Sequence, residues 1–362
     1  MIHADVNRAR ELVLQHGWNA TAYQILNPGI AHWFSAAGDA VIGYVRRSGV
    51  RVVAGAPVCA PARLHDVAVE FAADAHARGD RVCYFGAGER LEETLRRDGA
   101  HGTVGLGAQP SWDPAGWPAI VATRASLRAQ LNRARNKQVK VSEWNAARGA
   151  SDADVRRCLD EWLSDRRLPP LHFLVEPETL DRLEDRRLFV AEREGAVVGF
   201  LLASPIPARQ GWLVEQIIRG HSAPNGTAEL LLDAAMRAVA ADGARYVTLG
   251  LSPLSRQSRF DSQRMPRWLR LVLRWVRAHG RRFYNFEGLD RFKSKFAPDA
   301  WEEIVALADT PHFSPRALWA IAAAFAQGSP IALVARAVTR AAKEEARWLR
   351  RRAHRRRVAG TA

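Results

Sequence analysis

Two stretches of the chain concentrate groups that can move protons, hold anions or stabilise an oxyanion. The first runs Glu215-Gln216-Ile217-Ile218-Arg219, then His221, then Ala223-Pro224-Asn225-Gly226-Thr227-Ala228-Glu229. An apolar strand ends, a Pro-Asn-Gly turn follows and a helix begins. A helix N-terminus offers free N–H groups and partial positive charge to an anion or a developing oxyanion. Period two along the strand puts Glu215 and Ile217 on one face and Gln216 and Ile218 on the other. Glu229, in the first helical turn, fits either a reacting carboxylate or a residue that compensates the helix dipole. His221 fits either a proton carrier or a solvated loop side chain.

The second stretch is Asn285-Phe286-Glu287-Gly288-Leu289-Asp290-Arg291-Phe292-Lys293-Ser294-Lys295-Phe296. Aromatic and cationic groups interleave here. That mixture suits a nucleotide end, through stacking and phosphate neutralisation. It equally suits an amphipathic segment with Phe286, Phe292 and Phe296 in the core.

Other chemistries lack their motifs. No P-loop, H-E-x-x-H, G-x-S-x-G or paired C-x-x-C occurs. Neither a metal nor an organic cofactor is therefore expected. Cys59, Cys83 and Cys158 have no metal or disulfide spacing and read as reduced thiols of a cytosolic protein. No run of 18 apolar residues is present, so no spanning helix is expected.

Charge points to the partner. The net charge is +15, and it is clustered. Residues 256–282 hold nine Arg against one Asp, residues 336–357 ten Lys or Arg against two Glu, and residues 124–140 six Lys or Arg and no acid. Such blocks fit a polyanion, either nucleic acid or an anionic membrane surface. Arg267, Arg270, Arg274 and Arg277 fall on one stripe of a predicted amphipathic helix over 266–279. The tail, 311–362, carries two short apolar segments and then a basic helix suited to lipid headgroups.

The elements that must position these groups read as mixed α/β. In the first half, strands at 40–46 and 50–54 are joined by Ser48-Gly49. A helix over 61–78, a strand at 81–85 broken by Gly86-Ala87-Gly88, and a helix over 89–98 follow. Pro110, Pro114 and Pro118 predict an irregular connection. A basic helix covers 125–140, and Ser151 is the expected N-cap of a helix over 152–164. The second half repeats the order. Strands at 188–192 and 197–204 meet at Glu194-Gly195, and a strand at 212–218, a helix over 228–241 and a strand at 246–251 follow. The expected layout is a first unit at 1–123, a connecting helix at 124–150, a second unit at 151–310 and a basic tail at 311–362.

The runs EQIIRGHSAPNGTAELLLDAAM, LGLSPLS and NFEGLDRFKSKFAPDAWE, in that order, resemble the soluble C-terminal domain of the aminoacyl-phosphatidylglycerol synthase (MprF) family. LRAQLNRARNKQVKVSEW is similar to that family's middle segment, and AVIGYV…VVAGAPV to its strand pair and G-x-P-V turn. The resemblance covers roughly residues 20–308. It implies tandem GNAT-like folds and transfer of an aminoacyl group from aminoacyl-tRNA to a lipid hydroxyl, usually that of phosphatidylglycerol. Relatives of this soluble type also aminoacylate small molecules, so a soluble acceptor is the alternative. The family's usual flippase is not expected here. Ala228-Glu229 stands where the family has Met-Asp. The loop HSAPNGT lacks the pyrophosphate spacing of acetyl-CoA enzymes, which disfavours a conventional acetyltransferase.

On that reading a base must activate the acceptor hydroxyl. Glu215 is the first candidate, Glu229 the second and His221 the third. Glu215→Gln is then expected to lose transfer and keep tRNA binding. Asn225 would face the ester carbonyl. Arg219, Lys293 and Lys295 would hold phosphates of the tRNA end or the lipid headgroup. Gly226, Ser252, Asn285 and Glu287 complete the candidate substrate-binding set. Arg124, Arg128, Arg133 and Arg135 would track tRNA backbone. The expected placement is cytoplasmic and peripheral on the inner membrane face. A polyanion-binding protein without turnover is the rival from another class.

Overall fold

The computed structural model of the chain describes residues 2–99, 101–165, 172–258, 268–271, 286–326 and 331. Its strands are β1 (Ala31–Phe34), β2 (Val41–Arg47), β3 (Val50–Ala54), β4 (Arg81–Gly88), β5 (Gly102–Trp112), β6 (Lys140–Trp144), β7 (Arg187–Arg193), β8 (Ala196–Ile206), β9 (Gly211–Arg219), β10 (Tyr246–Thr248), β11 (Ser252–Pro253) and β12 (Ala300–Ala308). All join one sheet in the order β1-β2-β3-β4-β12-β5-β10-β9-β8-β7-β6, with β11 on β5.

The helices are α1 (Ile2–His16), α2 (Leu64–Ala77), α3 (Glu89–Arg96), α4 (Trp117–Thr123), α5 (Ala125–Asn136), α6 (Ala146–Ser151), α7 (Ala153–Ser164), α8 (Thr227–Ala241), α9 (Phe286–Ser294) and α10 (Pro315–Ala326). The fold is mixed α/β, as the sequence suggests. Each half turns antiparallel strands into a helix that crosses to a parallel neighbour: β3-α2-β4 in one half, β9-α8-β10 in the other. Both hairpin turns use left-handed residues, Ser48-Gly49 and Glu194-Gly195, the geometry that matches strand twist.

The halves then exchange strands. β5, from the first half, pairs with β10 of the second. β12, from the second, pairs with β4 of the first. β5 and β12 also pair with each other along nine residues of β12, closing the seam. Glu302 bolts it. Its carboxylate accepts hydrogen bonds from Gln109 (2.9 Å), Tyr246 (2.9 Å) and Arg209 (2.6 and 3.0 Å).

Two layers of helices cover the sheet. α1, α7 and α10 pack one face through Val13, Cys158, Leu159, Ala320 and Ile321. α2, α3, α5 and α8 pack the other through Phe71, Leu91, Leu131 and Leu231. α5 is keyed to α8 by Asp233, which is buried and accepts from Arg135 (3.0 Å), Arg237 (3.0 Å) and the Trp117 indole (2.9 Å).

Several expectations change. The broken strand at 81–85 runs on through Gly88, because Ala87 and Gly88 pair with Val305 and Ile304 of β12. The irregular connection around Pro110 is the strand β5. The basic connecting segment holds β6 and α6 after its helix. Asp152, not Ser151, caps α7 by accepting from the N–H groups of Asp154 and Val155. The first apolar segment of the tail is α10, whose Ala317, Ala320, Ile321 and Ala324 are buried in the first half's core. Apart from residues 268–271, the amphipathic helix over 266–279 lies outside the described residues, as does the tail beyond Ala326 except Ile331.

Candidate functional site

α8 starts at the Pro224-Asn225-Gly226 turn. Gly226 has φ +97°, and a Cβ there would lie 2.1 Å from the Gln130 backbone oxygen of α5. Only glycine permits that approach, so Gly226 seats α8 on α5. No side chain caps α8. The Thr227 N–H at its start is taken by the Pro224 carbonyl (3.3 Å), and Asn225 of the turn is exposed. Glu229, on that turn, is nearly buried and accepts from Lys295 Nζ at 2.6 Å. Lys295 lies 4.0 Å from the Phe292 ring centroid and 4.8 Å from that of Phe296.

α9 brings a second lysine to the same region. Lys293 is 5% exposed and donates to the carbonyl oxygens of Gly250 (2.8 Å) and Leu251 (3.0 Å). Burial pushes its pKa down to about 7, against the opposing pull of Asp290. Two N–H bonds are spent on the carbonyls. The third position on Nζ carries a proton when the group is charged and a lone pair when it is neutral. A buried lysine of this kind can act as a base near neutral pH. Ser255 Oγ donates to Asp290 Oδ1 at 2.6 Å and ties α9 to the segment after β11. Ser252 of β11 follows the two carbonyls directly. It is 1% exposed and its Oγ has no hydrogen-bond partner. Glu287 lies 3.3 Å from Arg256. Asn285 lies outside the described residues.

The structure therefore gathers Glu229, Lys293, Lys295, Ser252 and the Asn225 turn around the α8 N-terminus and α9. It does not bring Glu215 there. A bulge between Leu202 and Ala203 of β8 falls opposite Glu215, and it breaks the expected alternation. Ile217 packs with the α5–α8 core. Glu215 turns to the other face, where Arg186 binds it through Nε (2.9 Å) and Nη2 (3.4 Å). Arg186 in turn stacks on Tyr23 at 4.8 Å. Both members of the pair are buried, and both Glu215 oxygens are engaged. That geometry makes Glu215 the anchor of Arg186 rather than a free proton acceptor.

His221 is exposed. Its Nε2 faces Asp165 at 3.1 Å, while its backbone N–H donates to Glu161 at 2.7 Å. Arg219 is exposed at the end of β9. Arg124, which directly precedes α5, and Arg128, Arg133 and Arg135 on it are all exposed. Arg135 is paired with Asp233, and Arg128 donates to the Val121 carbonyl at 3.1 Å, capping α4. Arg124 and Arg133 meet no carboxylate among the described contacts. Among the described residues no group of three His, Cys, Asp or Glu is placed to hold a metal.

One polar residue at the seam escaped the sequence reading. Glu303 lies on β12 and has a buried, unpartnered Oε1. It follows directly on the NFEGLDRFKSKFAPDAWE run, in the strand WEEIVALA, and is not part of that run.

Comparisons with known proteins cover nearly the whole of this frame. Residues 10–307 match the family described as phosphatidylglycerol lysyltransferase, C-terminal. The phosphatidylglycerol lysyltransferase of Bacillus subtilis is 24% identical over 302 residues, which is 82% of this chain and 34% of that protein. The chain thus spans about a third of that relative's length. The crystal structure of the C-terminal domain of an Agrobacterium fabrum lysylphosphatidylglycerol synthetase superposes with a TM-score of 0.76 at 20% identity, covering 90% of this chain and 98% of that one. The structure of L-PGS from Bacillus licheniformis superposes with a TM-score of 0.70 at 19% identity, covering 92% and 95%.

Proposed function

This chain belongs to the phosphatidylglycerol lysyltransferase C-terminal family, and from that membership we propose that it moves an aminoacyl group from aminoacyl-tRNA to a hydroxyl of phosphatidylglycerol. The match over residues 10–307 is the observation that carries the reading. The basic face of α5 and the partly exposed Lys295 support it, since tRNA is a polyanion and phosphatidylglycerol carries an anionic phosphate.

The reaction exchanges one oxygen ester for another. The lipid hydroxyl oxygen attacks the ester carbonyl carbon, and the bond from that carbon to the tRNA ribose oxygen breaks. Neutral Lys293 takes the hydroxyl proton and returns it to the departing ribose oxygen. The positive N-terminal end of α8, with Asn225, is the candidate partner of the oxyanion. The Lys295–Glu229 pair leaves the lysine partly exposed, which suits a phosphate neighbour. Because the donor ester is already activated, most of the catalysis is positioning plus oxyanion stabilisation. No helix among the described residues is long and apolar enough to cross a membrane, and we place the chain peripherally, on the inner face.

Lipid extracts from cells with and without the protein, read by mass spectrometry, test the proposal. An aminoacylated phosphatidylglycerol present only with the protein is the expected result. An unchanged lipid profile, with aminoacyl-tRNA still consumed, would move the reaction to a soluble acceptor.

The tRNA part has its own test. Arg124→Gln with Arg133→Gln should weaken tRNA binding for every tRNA tried. It should also flatten the slope of log affinity against log salt by about 1 per arginine. An unchanged slope would remove α5 from the tRNA path.

A further inference from the structure

Among the described residues, four buried side-chain atoms lack a hydrogen-bond partner, and two of them share one row of the sheet. They are Ser252 Oγ and Glu303 Oε1. Ser252 of β11 lies opposite Ala108 of β5, and Glu303 of β12 lies opposite Ala108 from the other side. Residues directly opposite across antiparallel strands project to the same face. The two polar groups therefore flank a methyl group, on backbones roughly 10 Å apart across two strand spacings. Val305 of β12 packs with α2 and α3, which puts Glu303, two residues away, on the same face as α2, α3 and α8. An unpaired buried carboxylate oxygen beside an unpaired buried hydroxyl is costly unless a donor fills the gap. Both atoms accept hydrogen bonds. The fitting occupant is a small cation with several N–H donors.

We propose that Ser252 and Glu303 form the site for the α-ammonium group of the transferred amino acid. The assignment rests on the aminoacyl-transfer reading above. It also follows from connectivity. In an aminoacyl ester the ammonium and the carbonyl carbon are attached to the same Cα. Groups that read the one must neighbour groups that act on the other. Ser252 follows directly after Gly250 and Leu251, whose carbonyls hold Lys293. The ammonium site and the proton acceptor are thus adjacent along one short segment. Glu303 supplies the counter-charge and Ser252 a second acceptor, with the small Ala108 side chain on the row between them.

The test uses the full chain and small amides as probes. Millimolar alaninamide, which carries the α-ammonium and no acid, should raise the melting temperature. N-acetylalaninamide, which lacks the charge, should not. Glu303→Gln should abolish the alaninamide shift, and Ser252→Ala should weaken it. Glu303→Asp, which keeps the charge, should restore part of it. With phosphatidylglycerol vesicles, Glu303→Gln should raise KM for aminoacyl-tRNA by about ten- to a hundredfold, the scale of a lost charged hydrogen bond. Affinity for uncharged tRNA should stay the same. No alaninamide shift in the parent, an equal shift with the acetylated probe, or a full shift in both Glu303→Gln and Ser252→Ala would each overturn the site. Discrimination between the amides without any transfer to lipid would keep the site and defeat the lipid reading instead.

Discussion

Lys293→Met lowers kcat by about 10²–10⁴-fold, the contribution of a positioned proton acceptor, with tRNA binding kept. Lys293→Arg is as slow. Arginine retains a charge at this position but stays protonated, so it cannot take the hydroxyl proton. If Lys293 served only as a fixed cation, the arginine variant would keep substantial activity. The pH profile gives an independent reading. Burial pushes the Lys293 pKa down to about 7, and the active form is the neutral amine. The rate therefore climbs as pH rises through about 7 and levels off above it, and it falls on the acid side. Initial rates of lipid aminoacylation between pH 5.5 and 8.5 check this. A profile that is flat or that falls with rising pH would take the base role from Lys293.

Glu215→Ala costs about 3–5 kcal/mol of folding stability, because Arg186 is then left buried with an uncompensated charge. The Arg186 guanidinium is held between the Glu215 carboxylate and the Tyr23 ring, so little water can reach it to replace the lost partner. Turnover per folded molecule stays near the parent value, since the pair lies on the sheet face opposite α8 and α9. This differs from the loss of transfer that the sequence alone led us to expect for Glu215→Gln. Denaturant melts combined with active-site titration separate the two outcomes. The double variant Arg186→Met with Glu215→Leu should recover much of the lost stability, as replacement of a buried ion pair by apolar groups usually does. Parent stability with lost turnover would return Glu215 to the mechanism.

The local elements were legible because their signals are local. Ser48-Gly49 and Glu194-Gly195 mark hairpins by needing left-handed backbone, and both sit in that region. The apolar spacing of α8 announced its buried side, and Phe296, just after α9, is fully buried. What stayed hidden depends on partners far along the chain. β5 contains three glycines and Pro110, a composition that argues against a central strand. Its pairing comes instead from β12, some 190 residues later. The orientation of Glu215 is set by a bulge in register with β8, which period two cannot foresee. The meeting of Glu229 with Lys295 was foreshadowed by the polar types concentrated in those two stretches. The depressed pKa of Lys293 was not, because it comes from burial, which the packing of distant segments creates. Glu303 had no signal of its own, since two adjacent acids on a strand point to opposite faces and the sequence does not say which of them finds partners.

The exchange of β5 and β12 has a consequence for how the protein is made. When the first half leaves the ribosome, β4 has β3 on one side and an empty edge on the other. The strand that fills that edge is among the last segments of this region to be translated. Throughout synthesis of the intervening residues, β4 and β5 expose unpaired backbone and the apolar side chains meant for the seam, a template for pairing with other nascent chains. The contacts that end this exposure span most of the sequence, so their closure is slow. Cutting the chain near residues 124–150 would separate each half from a strand it needs. The two repeats mature as one cooperative unit, and chaperone protection during elongation is part of the cost of this topology.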